Sequence, residues 1–483
     1  MHLLEPTALD HVRSEFHRIW GYTDFRPPQG EIIQTLLSQQ DALVVMPTGG
    51  GKSICFQLPA LIRTGLTIVV SPLVALMENQ VQELKDRGLP ACLLHSELPT
   101  TSRRQALRDL ERQHLRLLYL SPETLLSEAV WTRLCQPHLR INGLILDEAP
   151  CLVQWGDTFR PAYRRLGAVR PALLRHKPPG SQLAIAAFTA TADPVAQSAI
   201  QQVLQLREPQ TFLLNPYRPN LNLSVRIAWT PRDRRNQLLK WIQARAKQSG
   251  LVYVRTRRDS ETLASWLQQQ GYATAAYHAG LSPDERRAIE SAWLQDQIRF
   301  VICTNAFGMG INKPDVRWVV HFHAPTLLSE YVQEVGRAGR DGKPAEALTL
   351  VSEPTGWLDN EDRQRLDYFR QQGITQQRSA QALIQKIPPE GTVSDVTRRF
   401  REGAIALSLL HARGQLEWVD PFHYRLQPVG KAPQDTQSRG MQQMLQFLRS
   451  KTCRWQFLLN AFGFTKESQG LKCGHCDRCS GHQ

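Results

Sequence analysis

Short apolar runs rich in β-branched residues recur along the chain, and a mixed polar and apolar stretch follows each of them. The runs are residues 42–46, 66–71, 116–120, 144–147 and 183–188, and then 251–254, 299–303, 318–322 and 347–351. Continuous apolar runs are typical of parallel strands buried on both faces, and the stretches between them are typical of crossover helices. We therefore expect an α/β protein with two tandem parallel-sheet domains, divided near residues 210–230, where Pro and Asn are frequent.

A different pattern begins after residue 352, where the strand series stops. Residues 361–386 favour a charged helix, and PPEG at 388–391 ends it. The next stretch favours two helices and a small β-ribbon, an order that resembles a winged helix. A polar linker over 431–440 precedes a cysteine-rich end. The predicted domains are residues 1–210, 211–352, 353–440 and 441–483.

The composition adds a partner class. The 483 residues include 58 Lys and Arg against 44 Asp and Glu, a net charge of +14, which favours a polyanion such as nucleic acid. The N-terminal residues include acids and lack an apolar signal region, and the longest apolar stretch, 65–77, is too short to span a bilayer. We expect a soluble intracellular protein without a membrane partner.

A glycine-rich loop follows the first apolar run and precedes a helical stretch. It reads Thr48-Gly49-Gly50-Gly51-Lys52-Ser53. Glycines let backbone amides surround phosphates, Lys52 can neutralise β- and γ-phosphate charge, and Ser53 can bind Mg²⁺. An ordinary glycine turn is the alternative, but the Lys-Ser pair and the strand–loop–helix order favour ATP and Mg²⁺.

Two further groups of charged residues suit such a loop. Asp147 and Glu148 end the apolar run 144–147, where a carboxylate can hold Mg²⁺ and a second can activate the attacking water. A solvated turn is the alternative for this pair. Gln333, Arg337 and Arg340 end the second series, and two arginines three residues apart can stabilise a phosphoryl group in transit. A basic helix face is the alternative for these arginines, and domain closure is expected to bring them to the nucleotide.

The nine cysteines form two populations. Five are scattered in apolar surroundings, as expected of buried core side chains: Cys55, Cys92, Cys135, Cys151 and Cys303. The other four are Cys453, Cys473, Cys476 and Cys479, and their spacing favours a tetrahedral Zn²⁺ site. An iron–sulfur cluster or free thiols are the alternatives.

Several motifs together resemble the superfamily-two helicases, and specifically the RecQ family. They are PTGGGKS, ILDEAP, FTATAD, AFGMGINKPDVRWVVHF and YVQEVGRAGRDG. The resemblance implies two RecA-like domains of P-loop NTPase type, a winged-helix-like segment and a small zinc module. FRPPQGEII resembles the family's N-terminal motif, which implies that Tyr22 stacks on adenine and that Arg26 and Gln29 contact the base.

The resemblance also implies DNA contacts. They are assigned to Asn79, Gln80, Ser121 and His278. QWGDTFRPAY resembles the RecQ aromatic-rich loop, in which Trp155, Phe159 and Arg160 would sense single-stranded DNA. Residues 158–191 contain six Lys or Arg and no acid, which suits a surface that follows a phosphate backbone. A core aromatic pair beneath a solvated basic face is the alternative for this loop.

The sequence departs from the family pattern at several places. Pro150 stands where the family usually has histidine, and Asp157 stands where many members have histidine, so coupling between ATP and DNA is expected to differ. The stretch between Arg340 and Cys453 is longer than in typical bacterial members. A winged helix and a helical domain are not expected after Cys479. We therefore hypothesise that residues 391–430 take the place of the missing winged helix in duplex binding.

These patterns predict an ATP-dependent DNA helicase of RecQ type that acts in recombination and repair. The resemblance implies 3′→5′ unwinding by a monomeric motor in the cytoplasm, associated with the nucleoid. Two alternatives remain. One is an RNA helicase on the same scaffold, and the other is a DNA-binding scaffold whose motor has weakened.

Overall fold

The structure is a computed structural model that describes residues 6–47, 49–72, 74–95, 97–149, 160–307, 313–428 and 436–480. Contacts between Cα atoms divide the chain into two units. Unit 1 comprises residues 1–214 and 373–436, and unit 2 comprises 215–372 and 437–483. The boundaries of these two units do not coincide with those of the four predicted domains. The division into four domains therefore stays a prediction.

Unit 1 is built on a seven-stranded parallel sheet with the order β3-β4-β2-β5-β6-β1-β7. Its strands are β1 Ala42–Val45, β2 Leu66–Val70, β3 Ala91–Leu94, β4 Leu117–Leu120, β5 Ile141–Leu146, β6 Ala184–Thr189 and β7 Gln210–Leu213. Its helices are α1 Pro6–Trp20, α2 Gln29–Leu37, α3 Lys52–Ile62, α4 Val74–Asp86, α5 Thr100–Glu111, α6 Pro122–Leu125, α7 Glu128–Leu134, α8 Val169–Leu174 and α9 Pro194–Leu204, with a 3-10 helix at Pro161–Ala168. Apolar clusters cover both faces of the sheet, which explains the continuous apolar runs.

Unit 2 repeats this design with a six-stranded parallel sheet in the order β10-β11-β9-β12-β13-β8. Its strands are β8 Leu221–Ala228, β9 Gly250–Tyr253, β10 Thr274–Tyr277, β11 Phe300–Cys303, β12 Trp318–His321 and β13 Ala345–Ser352. The helices beside them are α10 Pro231–Gln243, α11 Arg257–Gln269, α12 Pro283–Leu294 and α13 Leu328–Val335. The predicted class, two tandem parallel-sheet domains, is confirmed.

Four strands of the two parallel sheets were not predicted, and all four lie at sheet edges. β8 is an edge strand that alternates apolar and polar residues, such as Asn222, Ser224 and Arg226. β7 is a largely exposed edge strand, and both strands lie where the sequence suggested only a break. β3 and β10 are four-residue strands, and small residues such as Ala275 weaken the pattern of β10. Edge strands need less apolar character because one side meets solvent.

The segment after β13 forms a winged-helix-like module. Its elements are α14 Glu361–Ile384, β14 Glu390–Thr392, α15 Val393–Arg399, α16 Gly403–Ala412, β15 Leu416–Trp418 and β16 His423–Leu426. The three strands form an antiparallel sheet in the order β14-β16-β15, with two helices between β14 and β15. This is the predicted winged-helix order, and it packs against the 3-10 helix of unit 1 through α16.

The C-terminal part of unit 2 is helical and cysteine-rich. It contains α17 Thr436–Arg449, α18 Arg454–Ala461 and α19 Thr465–Ser468. Phe447, Trp455 and Cys476 are buried in the same apolar cluster as residues of the parallel sheet of unit 2. Among the described residues, each helix is too short or too polar to cross a membrane.

Candidate functional site

The glycine-rich loop lies between β1 and α3, as the sequence predicts. Gly49 and Gly51 have φ angles of +85° and +79°, which side chains rarely adopt. A Cβ atom on Gly51 would lie 2.4 Å from Nε2 of Gln29, so this position tolerates only glycine without rearrangement. The loop conformation therefore depends on glycine, both for its positive φ angles and for the close approach of Gln29. The predicted contact residue Thr48 lies outside the described residues.

Gln29 holds this loop from α2. Its Nε2 donates to the carbonyl oxygen of Gly50 at 3.1 Å, and the backbone N–H of Arg26 donates to its Oε1 at 2.9 Å. Gln29 is 4% exposed, whereas Tyr22 is 53% exposed. Tyr22 and Arg26 thus offer an exposed aromatic ring and an exposed arginine in the segment that leads to α2. Their predicted contact with adenine stays a prediction.

Asp147 continues from the end of β5 and is 5% exposed. It accepts a hydrogen bond from Gln80 Nε2 at 3.4 Å and one from the backbone N–H of Glu148 at 3.1 Å. Burial and the neighbouring charge of Glu148 raise the pKa of Asp147 to about 6, although the charge of Lys52 opposes the shift. Glu148 itself has a φ of +55°, an uncommon conformation that is often found at functional sites.

Lys52 begins α3 beside the loop. Its Nζ is buried and has no hydrogen-bond partner among the described residues. The phosphates of a bound nucleotide would stabilise the Lys52 ammonium. A cation bound with them would stabilise the Asp147 anion, which burial disfavours. Lys52, Ser53, Asp147 and Glu148 thus fit a nucleotide phosphate group with Mg²⁺.

The residues predicted to contact DNA have different surroundings. Ser121 accepts from the N–H of Thr124 and caps α6. Arg160 forms an ion pair at 3.0 Å with Glu123, in the first turn of the same helix. Asn79 is exposed on α4, while Gln80 contacts Asp147 as described above. Trp155 and Phe159, with Pro150 and Asp157, lie outside the described residues.

His278 lies in unit 2, after β10, and is 4% exposed. Its Nε2 lies 2.9 Å from Glu261 Oε1, and its Nδ1 accepts from the N–H of Gly280 at 3.1 Å. These contacts orient the imidazole in the protein, so the predicted DNA contact of His278 depends on the little surface that it leaves accessible.

The arginine-rich segment begins in α13. Gln333 is half-buried in this helix and Arg337 follows its end with 6% exposure. Burial and the nearby charge of Arg337 lower the pKa of Arg340 to about 10, which remains well above neutrality. The Arg340 guanidinium is therefore charged at pH 7, as stabilising a phosphoryl group requires.

Glu334, between the predicted residues, is a buried carboxylate that the sequence analysis missed. Arg255 donates to it at 2.8 Å and 3.2 Å, and Nε2 of His321 lies 2.8 Å from its Oε2. Although burial favours the neutral acid, Arg255 and His321 lower the pKa of Glu334 to about 2. Arg255 and His321 stand at or just past the ends of apolar strands, which is the signal that could have identified them.

The four predicted zinc ligands come together. Cys453, Cys473, Cys476 and Cys479 place their sulfur atoms within 4.8 Å of one another. Cys453 and Cys476 Sγ are 3.9 Å apart, close to the ~3.8 Å edge of a tetrahedron with Zn–S bonds of about 2.3 Å. Backbone N–H groups donate to Cys453 and Cys473 Sγ at 3.4 Å and 3.3 Å and would stabilise thiolates. This compact set fits a single Zn²⁺, whereas an iron–sulfur cluster would place iron and sulfide between the sulfurs.

Comparison with known proteins first defines the class. Protein-family models match for the DEAD/DEAH box helicase domain over residues 26–199, the helicase conserved C-terminal domain over 233–342 and RecQ zinc-binding over 423–480. The fold is similar to that of Saccharomyces cerevisiae Dbp5 bound to RNA and ADP BeF3. The TM-score is 0.57 at 18% identity, over 74% of this chain and 90% of that chain. Two RecA-like domains of helicase type are thereby established.

Full-length relatives then define the family. A Synechocystis protein named ATP-dependent DNA helicase RecQ is 53% identical over 470 residues, 97% of this chain and 98% of that protein. A Pasteurella multocida protein of the same name is 35% identical over 476 residues, 99% of this chain and 62% of that protein. The chain belongs to the RecQ family of ATP-dependent DNA helicases. It spans nearly the whole Synechocystis relative and about three-fifths of the Pasteurella one.

Proposed function

We propose that this protein hydrolyses ATP to move along single-stranded DNA in the 3′→5′ direction and thereby unwinds duplex DNA in recombination and repair. The observation that carries the proposal is that two buried charged groups lie beside a glycine-shaped phosphate loop: Lys52 Nζ, which has no hydrogen-bond partner among the described residues, and the Asp147 carboxylate. The names of the two RecQ relatives support DNA as the polymer.

The residues of unit 1 would act on the nucleotide in distinct ways. The loop amides and Lys52 would bind the phosphates, while Ser53 and Asp147 would hold Mg²⁺, which neutralises phosphate charge when bound. Glu148 would orient the attacking water and accept its proton. Tyr22, Arg26 and Gln29 would fix the adenine.

The residues of unit 2 would act on the transferred group. Arg337 and Arg340 would stabilise the charge that develops on the phosphoryl group, and Gln333 would help to place it. The cysteine cluster would bind one structural Zn²⁺ through Cys453, Cys473, Cys476 and Cys479. Metal analysis of the purified protein should find one zinc per chain, and iron in place of zinc would contradict this assignment.

DNA would be held mainly through phosphates and stacked bases, with Arg160 and Asn79 among the contacts, so binding should tolerate sequence and weaken with salt. The RNA helicase alternative receives weaker support. The Dbp5 structure contains RNA, but a likeness at 18% identity concerns the fold alone. We also propose a monomeric motor in the cytoplasm that associates with the nucleoid.

Strand displacement on 3′-tailed and 5′-tailed duplexes tests the proposal. We expect ATP-dependent unwinding of the 3′-tailed DNA, stronger stimulation of ATPase by single-stranded DNA than by RNA, and neither activity in Lys52→Ala. Preferential unwinding of the 5′-tailed duplex would contradict the direction. ATPase activity without unwinding of any tailed duplex would favour a scaffold whose motor has weakened.

The structure of the winged-helix-like module limits which of residues 391–430 could contact duplex DNA. Winged helices commonly insert their second helix into the major groove, but none of the residues in α16 is fully exposed. Phe422 packs edge-on against Trp131 at 5.2 Å, so the hairpin between β15 and β16 is also anchored in unit 1. Duplex contacts by this module would therefore come from the exposed arginines at the end of α15, not from α16.

A further inference from the structure

The loop that carries the predicted arginine fingers has an unusual backbone. We call residues 336–343 the arginine loop. Gly339 in this loop has a φ of +60°, and a Cβ atom there would lie 2.6 Å from Nδ2 of Asn220 and 2.8 Å from the carbonyl oxygen of Lys343. The loop conformation therefore depends on a glycine and on the close approach of Asn220.

Two side chains from outside the loop bind its carbonyl groups. Arg218 donates to the carbonyl oxygen of Gly336 at 3.4 Å, to that of Ala338 at 3.1 Å and to that of Gly339. Asn220 Nδ2 donates to the carbonyl oxygens of Gly339 and Lys343, both at 2.8 Å. These carbonyls follow a helix end, where the backbone acceptors have no partner within the helix. Arg218 and Asn220 thus hold the loop that positions Arg337 and Arg340.

These bonds work against electrostatic repulsion. After the effect of burial, the charges of Arg337 and Arg218 both help to lower the pKa of Arg340, so the guanidinium of Arg340 lies near two other positive charges. Like charges at short range favour a loop that opens. Arg218 also repels Arg340, but its N–H groups donate hydrogen bonds to the loop carbonyls. These hydrogen bonds offset the repulsion.

The same segment rests on the zinc module. We call residues 217–220 the tether segment. The ring of Tyr217 meets that of Trp455 edge-on at 5.2 Å, and its hydroxyl lies 3.4 Å from Nε2 of His475, between two of the cysteines. Trp455 Nε1 also donates to the carbonyl oxygen of Leu221 at 3.1 Å, directly after the segment. One side of the tether segment therefore contacts the cysteine module and the other holds the arginine loop.

We propose that Arg218 and Asn220 are positioning residues that set the geometry of Arg337 and Arg340 for ATP hydrolysis, and that the zinc module supports them through Tyr217. This inference rests on the proposed function. It gives the zinc module a role in hydrolysis without any contact with nucleotide, because the tether segment fixes where the two guanidiniums can act. Small displacements of such groups cost up to about a hundredfold in rate.

Steady-state ATPase kinetics of the full-length protein with saturating single-stranded oligo-dT test the proposal. We expect Arg218→Ala and Asn220→Ala to lower kcat by about 10- to 100-fold. The KM for ATP and the Kd for oligo-dT without nucleotide should stay within about twofold, since the residues of unit 1 are unchanged. Arg218→Lys should recover part of kcat, because an ammonium can still donate to some of the carbonyls. Tyr217→Phe should retain kcat and Tyr217→Ala should lower it.

Arg245→Ala is the matched control, since Arg245 pairs with Glu346 and stacks on Trp241 in the same unit but, among the described residues, forms no hydrogen bond or ion pair with the arginine loop. It should leave kcat within about twofold of the parent. The decisive comparison repeats Arg218→Ala in an Arg340→Ala background, where its effect should shrink to less than about twofold if it acts through the loop.

The same loss in both backgrounds, or an unchanged kcat in Arg218→Ala and Asn220→Ala, would overturn the inference. An unchanged kcat in Arg340→Ala itself would instead reject the role that the proposed function gives to that arginine. If Arg218→Ala fails to fold, the half-buried Asn220 provides the same test through Asn220→Ala and Asn220→Asp, which lacks the amide donors.

Discussion

Asp147 in unit 1 and Glu334 in unit 2 are both buried carboxylates at or near predicted catalytic positions. Their surroundings shift their pKa values in opposite directions. Burial and Glu148 raise the pKa of Asp147 to about 6. Arg255 and His321 outweigh burial and lower the pKa of Glu334 to about 2. The charge of Asp147 is therefore incompletely compensated by protein groups, whereas that of Glu334 is fully compensated within unit 2.

This difference separates two kinds of charged site. Asp147 has hydrogen bonds but no ion pair, and Lys52 Nζ has no hydrogen-bond partner among the described residues, so both suit binding and release of nucleotide. Glu334, Arg255 and His321 form a network that connects α13, the helix that leads to Arg337, to the ends of β9 and β12. The charged groups of Asp147 and Lys52 in unit 1 are thus available to a ligand, whereas that of Glu334 in unit 2 stabilises the fold.

The largest expected effect comes from Lys52→Ala. It should lower the ATPase kcat by at least about a thousandfold, because phosphate charge loses its ammonium partner. The melting temperature of the nucleotide-free protein should stay unchanged or rise, since Lys52 Nζ has no protein partner among the described residues. Lys85→Ala, on the exposed face of α4, is the control and should leave both quantities unchanged. A large fall in melting temperature would mean that Lys52 is structural.

Glu334→Gln tests this network. It should destabilise unit 2 by up to about 3 kcal/mol at pH 7, because Arg255 would remain buried and keep only the more distant carboxylate of Glu330, at 4.0 Å. The folded pKa of Glu334 is lowered to about 2 from 4.5, so the stability it contributes is present above about pH 4.5 and is lost as the pH falls towards 2.

Urea unfolding of the parent and of Glu334→Gln between pH 7 and pH 3 measures this dependence. The difference in unfolding free energy between the two proteins should shrink as the pH falls. A difference that stays constant over this range would exclude ionisation of Glu334 as its cause.

Gly51→Ala and Gly88→Ala compare a glycine at the nucleotide with one elsewhere in the same unit. Both have positive φ, +79° and +68°, so each variant should lose about 1 to 2 kcal/mol of stability. Only at Gly51 would the new Cβ meet another group, Gln29 Nε2 at 2.4 Å. ATP binding, measured by calorimetry, should therefore weaken about tenfold in Gly51→Ala and stay unchanged in Gly88→Ala. Equal weakening in both variants would refute the proposed function of this loop.

The smallest effect is expected from the exposed arginines at the end of α15 and just after it. Arg399→Ala and Arg401→Ala should each weaken duplex binding two- to fivefold and reduce the salt slope by about one, as expected for phosphate contacts. Single-strand-stimulated ATPase should change little. Point variants are preferable to deleting residues 391–430, because deletion would expose Trp131 and the core that α16 covers. Unchanged duplex affinity of both variants at low salt would contradict the hypothesis that this module binds duplex DNA.

The sequence predicted the parts of the molecule that local pattern controls. Buried parallel strands read as continuous apolar runs, and the four cysteines of the zinc module could be identified from spacing. The edge strand β8 could not, because strands with one exposed side tolerate polar residues. Arg218 was also missed, since the carbonyls that it binds lie more than one hundred residues further along the chain.

The sequence by itself determined the fold class and which side chains are available for phosphate, zinc and DNA, because residue type and spacing set strand burial and ligand chemistry. Only the tertiary structure decided which charges are compensated. Asp147 follows an apolar run and Glu334 lies in a helix with apolar neighbours. The residues next to them in sequence do not indicate how their charges are compensated. Their pKa values diverge because Arg255 and His321, brought by other strands, reach Glu334, while no such cation pairs closely with Asp147 among the described residues. Charge compensation depends on distance in space, which the order of residues does not specify.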